Sequence, residues 1–414
     1  MGKNICEKII SEHAGKSVSA GDIVTVKVDY CFTHDASGPL VINYLKELGK
    51  PPFNSKRCII FIDHVVPSHK AEISNEQAKL RRFAQENGLI FYEAGNGVCH
   101  QLMVENFASP GELIIGGDSH TCTIGAIGAF ATGMGATDVA VAMALGKTWL
   151  RVPETIRVIV NGQFKKGVFA KDLILYVINK LGVEGANYKA LEFQGSTIEM
   201  MDIHERLTLT NMAVEAGAKT GLVFSDEKTK RYLEVMGRGD KFRVIQSDSD
   251  ANYESTIEIN ASDLKPLVAL PYSVDNVKPV DEVGNIKIDE VYIGSCTNAR
   301  LEDLRIVAKI IKGRELKARL IVTPASKRIY LEALKEGLIN IFLEAGGMFT
   351  PPGCGLCFGA YGGIPADGEN IITTTNRNFI GRTGNPNAPT YLCSPATAAA
   401  SAVEGRIADP RDYL

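Results

Sequence analysis

No apolar run opens the chain. Its first residues, MGKNICEKIISEHAGK, are charged at short intervals, so no secretory leader is expected. A Met-Gly start is present, but Cys6 stands where a myristoylation motif wants Ser or Thr. An excess of one charge is also missing. Against 48 Asp and Glu stand 45 Lys and Arg, a net charge of −3, which leaves no basic field for nucleic acid or an anionic membrane. One stretch, residues 119–137, has the length of a membrane span and no formal charge. Its text, SHTCTIGAIGAFATGMGAT, is rich in Gly, Thr and Ser and contains His120, all costly in lipid. A buried glycine-rich turn and helix start is the expected reading, in a cytoplasmic protein with neither a membrane nor a nucleic-acid partner.

Cysteine is sparse and odd in number, nine in 414 residues, which excludes a disulfide framework. Thiols that stay reduced point to metal or catalysis only where they cluster. Cys6, Cys31, Cys58, Cys99, Cys122 and Cys393 are scattered singly, and a small buried apolar role suits most of them. Cys354 and Cys357 form a C-x-x-C pair in PPGCGLCFGA, and Cys296 lies 58 residues before Cys354, in GSCTNAR. Internal repeats and low-complexity linkers are absent.

What is present is alternation. Short apolar runs bounded by turn residues predict strands within 57–67, 112–120, 155–162, 289–296, 318–324 and 370–379. Helical patterns lie among them, at 74–88, 137–149, 170–182, 301–313 and 326–337. Strands alternating with helices predict α/β architecture with parallel sheets. A chain this long exceeds one core, and boundaries are expected near 153 and 283, giving units 1–153, 154–283 and 284–414. Polar groups gather at the carboxyl ends of the predicted strands: Asp63–His64, Asp118–Ser119–His120, Cys296 and Asn376–Arg377. Ligand and catalytic groups collect there in open α/β sheets.

A pair plus one cysteine admits three readings. Thioredoxin-like redox chemistry places its C-x-x-C early in a βαβ unit, and this one is late. A zinc ribbon needs a second C-x-x-C. An iron–sulfur cube held by three thiolates would leave one iron open as a Lewis acid. Gly353, Gly355 and Gly359 allow backbone to approach such a cluster. Two other motifs are decoys: ALGKTW (144–149) ends like a P-loop but has Val141 where glycine is required, and GAIGAFATGMG only loosely matches a dinucleotide loop.

Ordered motifs along nearly the whole chain resemble the aconitase superfamily, in the stand-alone large-subunit branch of 3-isopropylmalate dehydratases and homoaconitases. They are VDYCFTHDASGP, FIDHVVP, GVCHQ, GGDSHTCT with GAFATGMGATD, TNMAVEAGAKTG, YIGSCTNAR, PPGCGLCFGA, TTNRNFIGRTG and YLCSPATAAASAVEGRI. The resemblance implies a three-domain body of parallel-sheet α/β/α domains around a cluster-bearing cleft. It implies one [4Fe–4S] cluster per subunit on Cys296, Cys354 and Cys357, with one iron not bound by cysteine. Leu356 stands where the family usually has Pro; the cluster should survive that change.

By position the resemblance implies proton-handling roles for Asp63, His64, His100, Asp118, His120 and Glu215. It implies substrate contacts for His34, Ser119, Asn211, Asn376, Arg377 and Arg382. The implied substrate is a small hydroxy di- or tricarboxylate, isomerised by loss and re-addition of water. Isopropylmalate of leucine synthesis leads, with homocitrate and dimethylmalate as alternatives and an iron-sensing RNA binder as a remote one that the charge opposes. Because the text stops at VEGRIADPRDYL, the expected partner is a separate small subunit of the swivel-domain type. That subunit would bring the base and further arginines.

Overall fold

A computed structural model describes residues 2–360 and 362–414. Three largely parallel sheets carry the chain. The first is fully parallel, in the order Ile90–Tyr92, Cys58–Phe61, Tyr30–His34, Leu113–Gly116, Phe130–Gly133. The second, also parallel, runs Thr220–Val223, Ala190–Gln194, Thr155–Asn161, Ser255–Asn260. The third has seven strands: Val277–Pro279, Leu267–Ala269, Thr390–Cys393, Ile371–Thr373, Glu290–Ile293, Arg319–Val322 and Met348–Phe349. Its first two strands pair antiparallel and lie before residue 283, so the polar text read there as a boundary feeds an edge of the last sheet.

Each predicted strand contains an observed one, and the α/β class holds. The helix expected over 137–149 ends earlier. It spans Ala136–Leu145 and is stopped at Gly146, whose backbone is left-handed (φ 61°) and where a Cβ would meet the Phe53 ring at 2.7 Å. Lys147–Arg151 is instead a strand, paired antiparallel with Ile23–Lys27. The Gly- and Ser-rich segment after Asp118 coils as a 3₁₀ stretch, Ser119–Ile127, fully buried beyond its first residue.

The first and third sheets are bound by one apolar core. Phe32, Phe61, Val98 and Leu102 on one side belong to the same buried cluster as Ile293, Leu304, Val322 and Ile329 on the other. Burying each such side chain contributes about 1.5–3 kcal/mol, so the wedge sets the two sheets at a fixed separation. Their carboxyl ends open onto the same space. There the backbone N–H of Cys354 donates to the Asp63 carbonyl at 2.8 Å. No helix among the described residues is long and apolar enough to cross a membrane.

Candidate active site

Adjacent strand ends of the first sheet deliver His34 and, one residue past Ile62, Asp63 and His64. Asp35 fixes this corner. Its carboxylate accepts from the backbone N–H of Asp63 (3.2 Å), His64 (2.9 Å) and Val65 (3.0 Å) and from Gln77 Nε2 (3.1 Å). His64 donates from Nδ1 to Asp63 Oδ1 at 2.8 Å and from Nε2 to Asp118 Oδ2 at 3.2 Å. Burial pulls its pKa down, but the Asp63 charge and the two bonds outweigh burial and hold it well above the ordinary range. A carboxylate oxygen at each ring nitrogen favours a proton on both, the imidazolium form.

The His34 ring stacks on it, centroids 3.8 Å apart and planes 17° from parallel. Burial, then the His64 charge, push the His34 pKa down. Its hydrogen bonds agree: Nδ1 accepts from the Ala36 N–H at 3.2 Å and Nε2 donates to the Gly117 carbonyl at 3.1 Å, a neutral tautomer. Asp63 also accepts the Cys99 N–H at 2.6 Å. Burial raises the Asp63 pKa, but the His64 charge and bond bring it down to about 2.

Asp118 lies at the centre. It accepts from His100 Nε2 at 3.0 Å, from His64 Nε2 at 3.2 Å and from the His120 backbone N–H at 2.7 Å. Burial acts to raise its pKa, and the charge and bond of His100 with the other two bonds overcome it. The buried Nδ1 of His100 has no protein partner among the described residues. His120 donates from Nε2 to Glu215 Oε1 at 2.7 Å, and the other oxygen of Glu215 accepts from Arg377 Nε at 2.9 Å. Burial and the Arg377 charge depress the His120 pKa, and the bonds to Asp118 and Glu215 raise it further than that. Glu215 is held low, against burial, by the His120 bond and the Arg377 charge. The Ser119 hydroxyl sits 3.3 Å from His120 Nδ1.

The cysteines approach from the third sheet. Past Ile293 the chain turns through Ser295, left-handed at φ 77°. The buried Arg300 then ties the loop by donating to the carbonyls of Cys296 (2.6 Å) and Thr297 (2.7 Å). Cys354 and Cys357 flank Gly355, left-handed at φ 60°, where a Cβ would meet the Tyr292 hydroxyl at 1.9 Å. Leu356 is fully buried beside Tyr292, Ile321 and Ile371, and its N–H donates to that hydroxyl at 3.1 Å, a bond proline could not make.

Nitrogen donors converge on two of these sulfurs. Asn211 Nδ2 is 3.1 Å and Asn376 Nδ2 3.7 Å from Cys296 Sγ, and Arg382 Nη2 is 3.4 Å from Cys357 Sγ. Cys357 is drawn toward thiolate by the Cys354 bond and, against burial, by the Arg382 charge. That same bond, then burial, pushes the Cys354 thiol up, and burial with Cys357 does so for Cys296. Three neighbouring thiols, two of them facing N–H donors, fit an iron–sulfur group, whose cationic irons let all three ionise together. A single ion fits less well. The one His/Cys/Asp/Glu set with ligand atoms all within 4.8 Å, among the described residues, is His34, Asp35, Asp63 and His64. Each of its ligand atoms is already engaged in a hydrogen bond within the protein.

Hydrogen bonds and ring contacts tie the candidate catalytic, substrate and cluster residues into one cluster. Sequence reasoning missed Asp35, Arg300 and Thr297. The Thr297 hydroxyl donates to Asn211 Oδ1 at 2.8 Å and accepts from Asn376 Nδ2 at 3.0 Å. Asp35 and Arg300 stood inside quoted motifs, but nothing local marks a side chain whose work is to tie backbone. A cavity of about 380 Å³ opens elsewhere, near Tyr232 and Arg328, and shares only Arg300 with these groups.

The model of the aconitase family (aconitate hydratase) matches residues 7–285 and 278–405. The chain is 55% identical to the 3-isopropylmalate dehydratase large subunit of Elusimicrobium minutum and 53% identical to large subunit 1 of that enzyme from Thermotoga maritima, each across 100% of both chains. It is 49% identical to large subunit 1 of Pyrococcus furiosus, over 100% of this chain and 99% of that one. Among solved structures, aconitase X of Thermococcus kodakaraensis in its holo form shares the fold, with a TM-score of 0.50 and 16% identity over 85% of this chain and 84% of that one.

Proposed function

The chain belongs to the aconitase family, and on that footing we propose that it is the cluster-bearing large subunit of a hydro-lyase of leucine biosynthesis. The reaction is the isomerisation of 2-isopropylmalate and 3-isopropylmalate by dehydration and rehydration. The chemistry rests on one observation: Asn211, Asn376 and Arg382 aim N–H donors at the sulfurs of Cys296 and Cys357, two of three buried cysteines, beside a histidine gripped by two carboxylates. The substrate rests on the relatives, which bear that enzyme's name at 46–55% identity over their full length.

Cys296, Cys354 and Cys357 would hold one [4Fe–4S] cluster per subunit, with one iron left free of cysteine. Bound there, the cluster supplies a Lewis acid for the leaving hydroxyl. Arg377 spends only Nε on Glu215, so its terminal N–H groups can fork a substrate carboxylate. His64 is the general acid for the departing hydroxyl: Nδ1–H stays on Asp63, and the longer Nε2–H bond to Asp118 (3.2 Å) is the one that yields to the substrate oxygen. Asp118 keeps the surrounding imidazoles oriented, and the Glu215–His120 pair aligns Arg377 and carries a second proton. His34, stacked on His64, and Ser119, beside His120, are the neutral hydrogen-bonding groups assigned to substrate contact.

None of these carboxylates is a strong base. Asp63, Asp118 and Glu215 are all held below the usual carboxylate range, and such weak bases remove a carbon-bound proton poorly. The base is therefore assigned to a separate small subunit of the swivel-domain type. Exposed apolar side chains lie on the segments that carry the site and suit that contact: Phe358 beside Cys357, and Phe379 (50% exposed) and Ile380 (61% exposed) between Arg377 and Arg382. The units 1–153, 154–283 and 284–414 are proposed as the body beneath it, and the cytoplasm as its location. Turnover assays of the two-subunit enzyme on isopropylmalate, homocitrate and dimethylmalate test the reading. Preference for isopropylmalate supports it, and preference for either other acid replaces the substrate.

A further inference from the structure

Lys171 is fully buried at the start of the helix Ala170–Leu181. An ammonium there is doubly unfavourable, being out of water and at the positive end of a helix. Among the described residues, no carboxylate lies within ion-pair distance of it. The neighbouring Asp172 spends its oxygens on the backbone N–H groups of Phe169 (2.8 Å) and Leu267 (2.7 Å), and burial pushes its pKa up to about 7. What Lys171 does bond is specific. Nζ donates to the carbonyls of Thr374 at 2.8 Å and Thr375 at 2.6 Å.

Those carbonyls belong to the two residues just before Asn376. The Asn376 amide reaches Thr297 Oγ1 at 3.0 Å and Cys296 Sγ at 3.7 Å, and its Oδ1 lies 3.5 Å from Cys357 Sγ. Arg377 follows directly. The segment carrying both side chains is thus anchored from behind by a cation with no anion of its own. Burial lowers the Lys171 pKa to about 8, and Cys393 and Cys357 lead the charges that act to raise it.

We propose that Lys171 is a positioning residue and buried counter-charge of the cysteine site: through the Thr374 and Thr375 carbonyls it fixes Asn376 against Cys296 and Cys357, and its charge complements the three thiolates of a bound cluster. Lys171 touches neither substrate nor sulfur. The inference rests on the reading that the three cysteines hold an anionic iron–sulfur group.

The two ideas separate in one experiment. The full-length chain, wild type and Lys171→Met, is reconstituted without oxygen using ferrous iron and sulfide. The broad visible absorbance per chain, its decay under chelator, and the melting temperature of loaded and iron-free protein are recorded. Lys171→Met should lose the cluster about tenfold faster, in the range for outer-shell partners of metal sites. Its iron-free form should melt at or above the wild-type temperature, because an uncompensated buried charge is gone. The rise in melting temperature on loading should shrink. Equal decay and an equal rise in both proteins would overturn the role of Lys171, and so would an equal drop in both forms of the variant. A wild-type chain that takes up no cluster would instead sink the reading beneath it. Should Lys171→Met not fold, Lys171→Gln and Lys171→Arg carry the test: both can bond a carbonyl, and only Arg keeps the charge. Slower decay in the Arg variant supports the inference, and identical decay ends it.

Discussion

The rings of His34 and His64 lie stacked 3.8 Å apart, one neutral and the other charged. The difference follows from burial, the His64 charge and the partners: two carboxylates grip His64, while His34 bonds a backbone N–H and a carbonyl and has Asp118 only at 3.5 Å. His64→Gln should keep the cluster's visible spectrum and lower kcat about 10²–10⁴-fold, the range for losing a general acid. His34→Gln keeps a neutral hydrogen-bonding group, so kcat should fall less than tenfold and KM should move more. Steady-state kinetics of the two-subunit enzyme read both, and equal losses in the two variants would refute the assignment.

Each of Cys296→Ser, Cys354→Ser and Cys357→Ser should abolish cluster absorbance and turnover together. Cys122→Ser, a buried cysteine whose sulfur faces the backbone carbonyl of Asn211 at 3.4 Å, should keep the spectrum. Iron and sulfide per chain, measured after reconstitution, check this.

Arg377→Lys should raise KM and lower kcat/KM about tenfold to a hundredfold while the cluster spectrum stays. Lysine offers a point charge and no fork, and it loses the Nε bond that aligns Glu215. Unchanged constants would remove Arg377 from the substrate site.

Ile380→Asp places a charge on the exposed apolar rim without touching the sulfurs. Affinity for the small subunit should drop at least tenfold, the cost of burying an unpaired carboxylate in an interface. Titration calorimetry against the isolated small subunit measures it, with the cluster spectrum as control.

Away from the site, His13 Nε2 and Asp29 Oδ2 pair at 2.6 Å, and Asp29 also accepts the Leu113 N–H. Burial lowers the His13 pKa, but the Asp29 bond and charge raise it on balance, while the same bond lowers that of Asp29 against burial. The histidine contribution is full below its unfolded value near 6.5 and is lost as pH rises through the higher folded value. The aspartate contribution is full above its unfolded value and is lost only in acid. His13→Gln should therefore cost about 1 kcal/mol near pH 6 and progressively less toward pH 9, read from urea midpoints.

Much of this was legible in the sequence because strand periodicity and strand-end chemistry are local. The runs ending in Asp63–His64, Asp118–His120 and Cys296 announced both the parallel sheets and the cleft they line. The helix end at Gly146 was not legible, since a glycine inside a helical pattern signals a stop only when the next residues find a strand partner, here Ile23–Lys27. Lys171 was hidden for a related reason. Its text, AKDLIL, reads as an ordinary helix start, and its meaning lies in carbonyls more than 200 residues away. The same holds for Asp35, which ties backbone 28 to 30 residues on, and for Arg300, which besides its own loop reaches the His204 carbonyl at 3.2 Å.

The central claim is that this chain is the cluster-bearing half of a two-part isomerase. It is tested most directly by assaying 2-isopropylmalate conversion with the anaerobically reconstituted chain, alone and with its small subunit added. The account predicts full cluster absorbance in both samples and turnover only when the small subunit is present. Rapid isomerisation by this chain alone, free of any co-purifying protein, would contradict it and require a proton-abstracting base among its own residues.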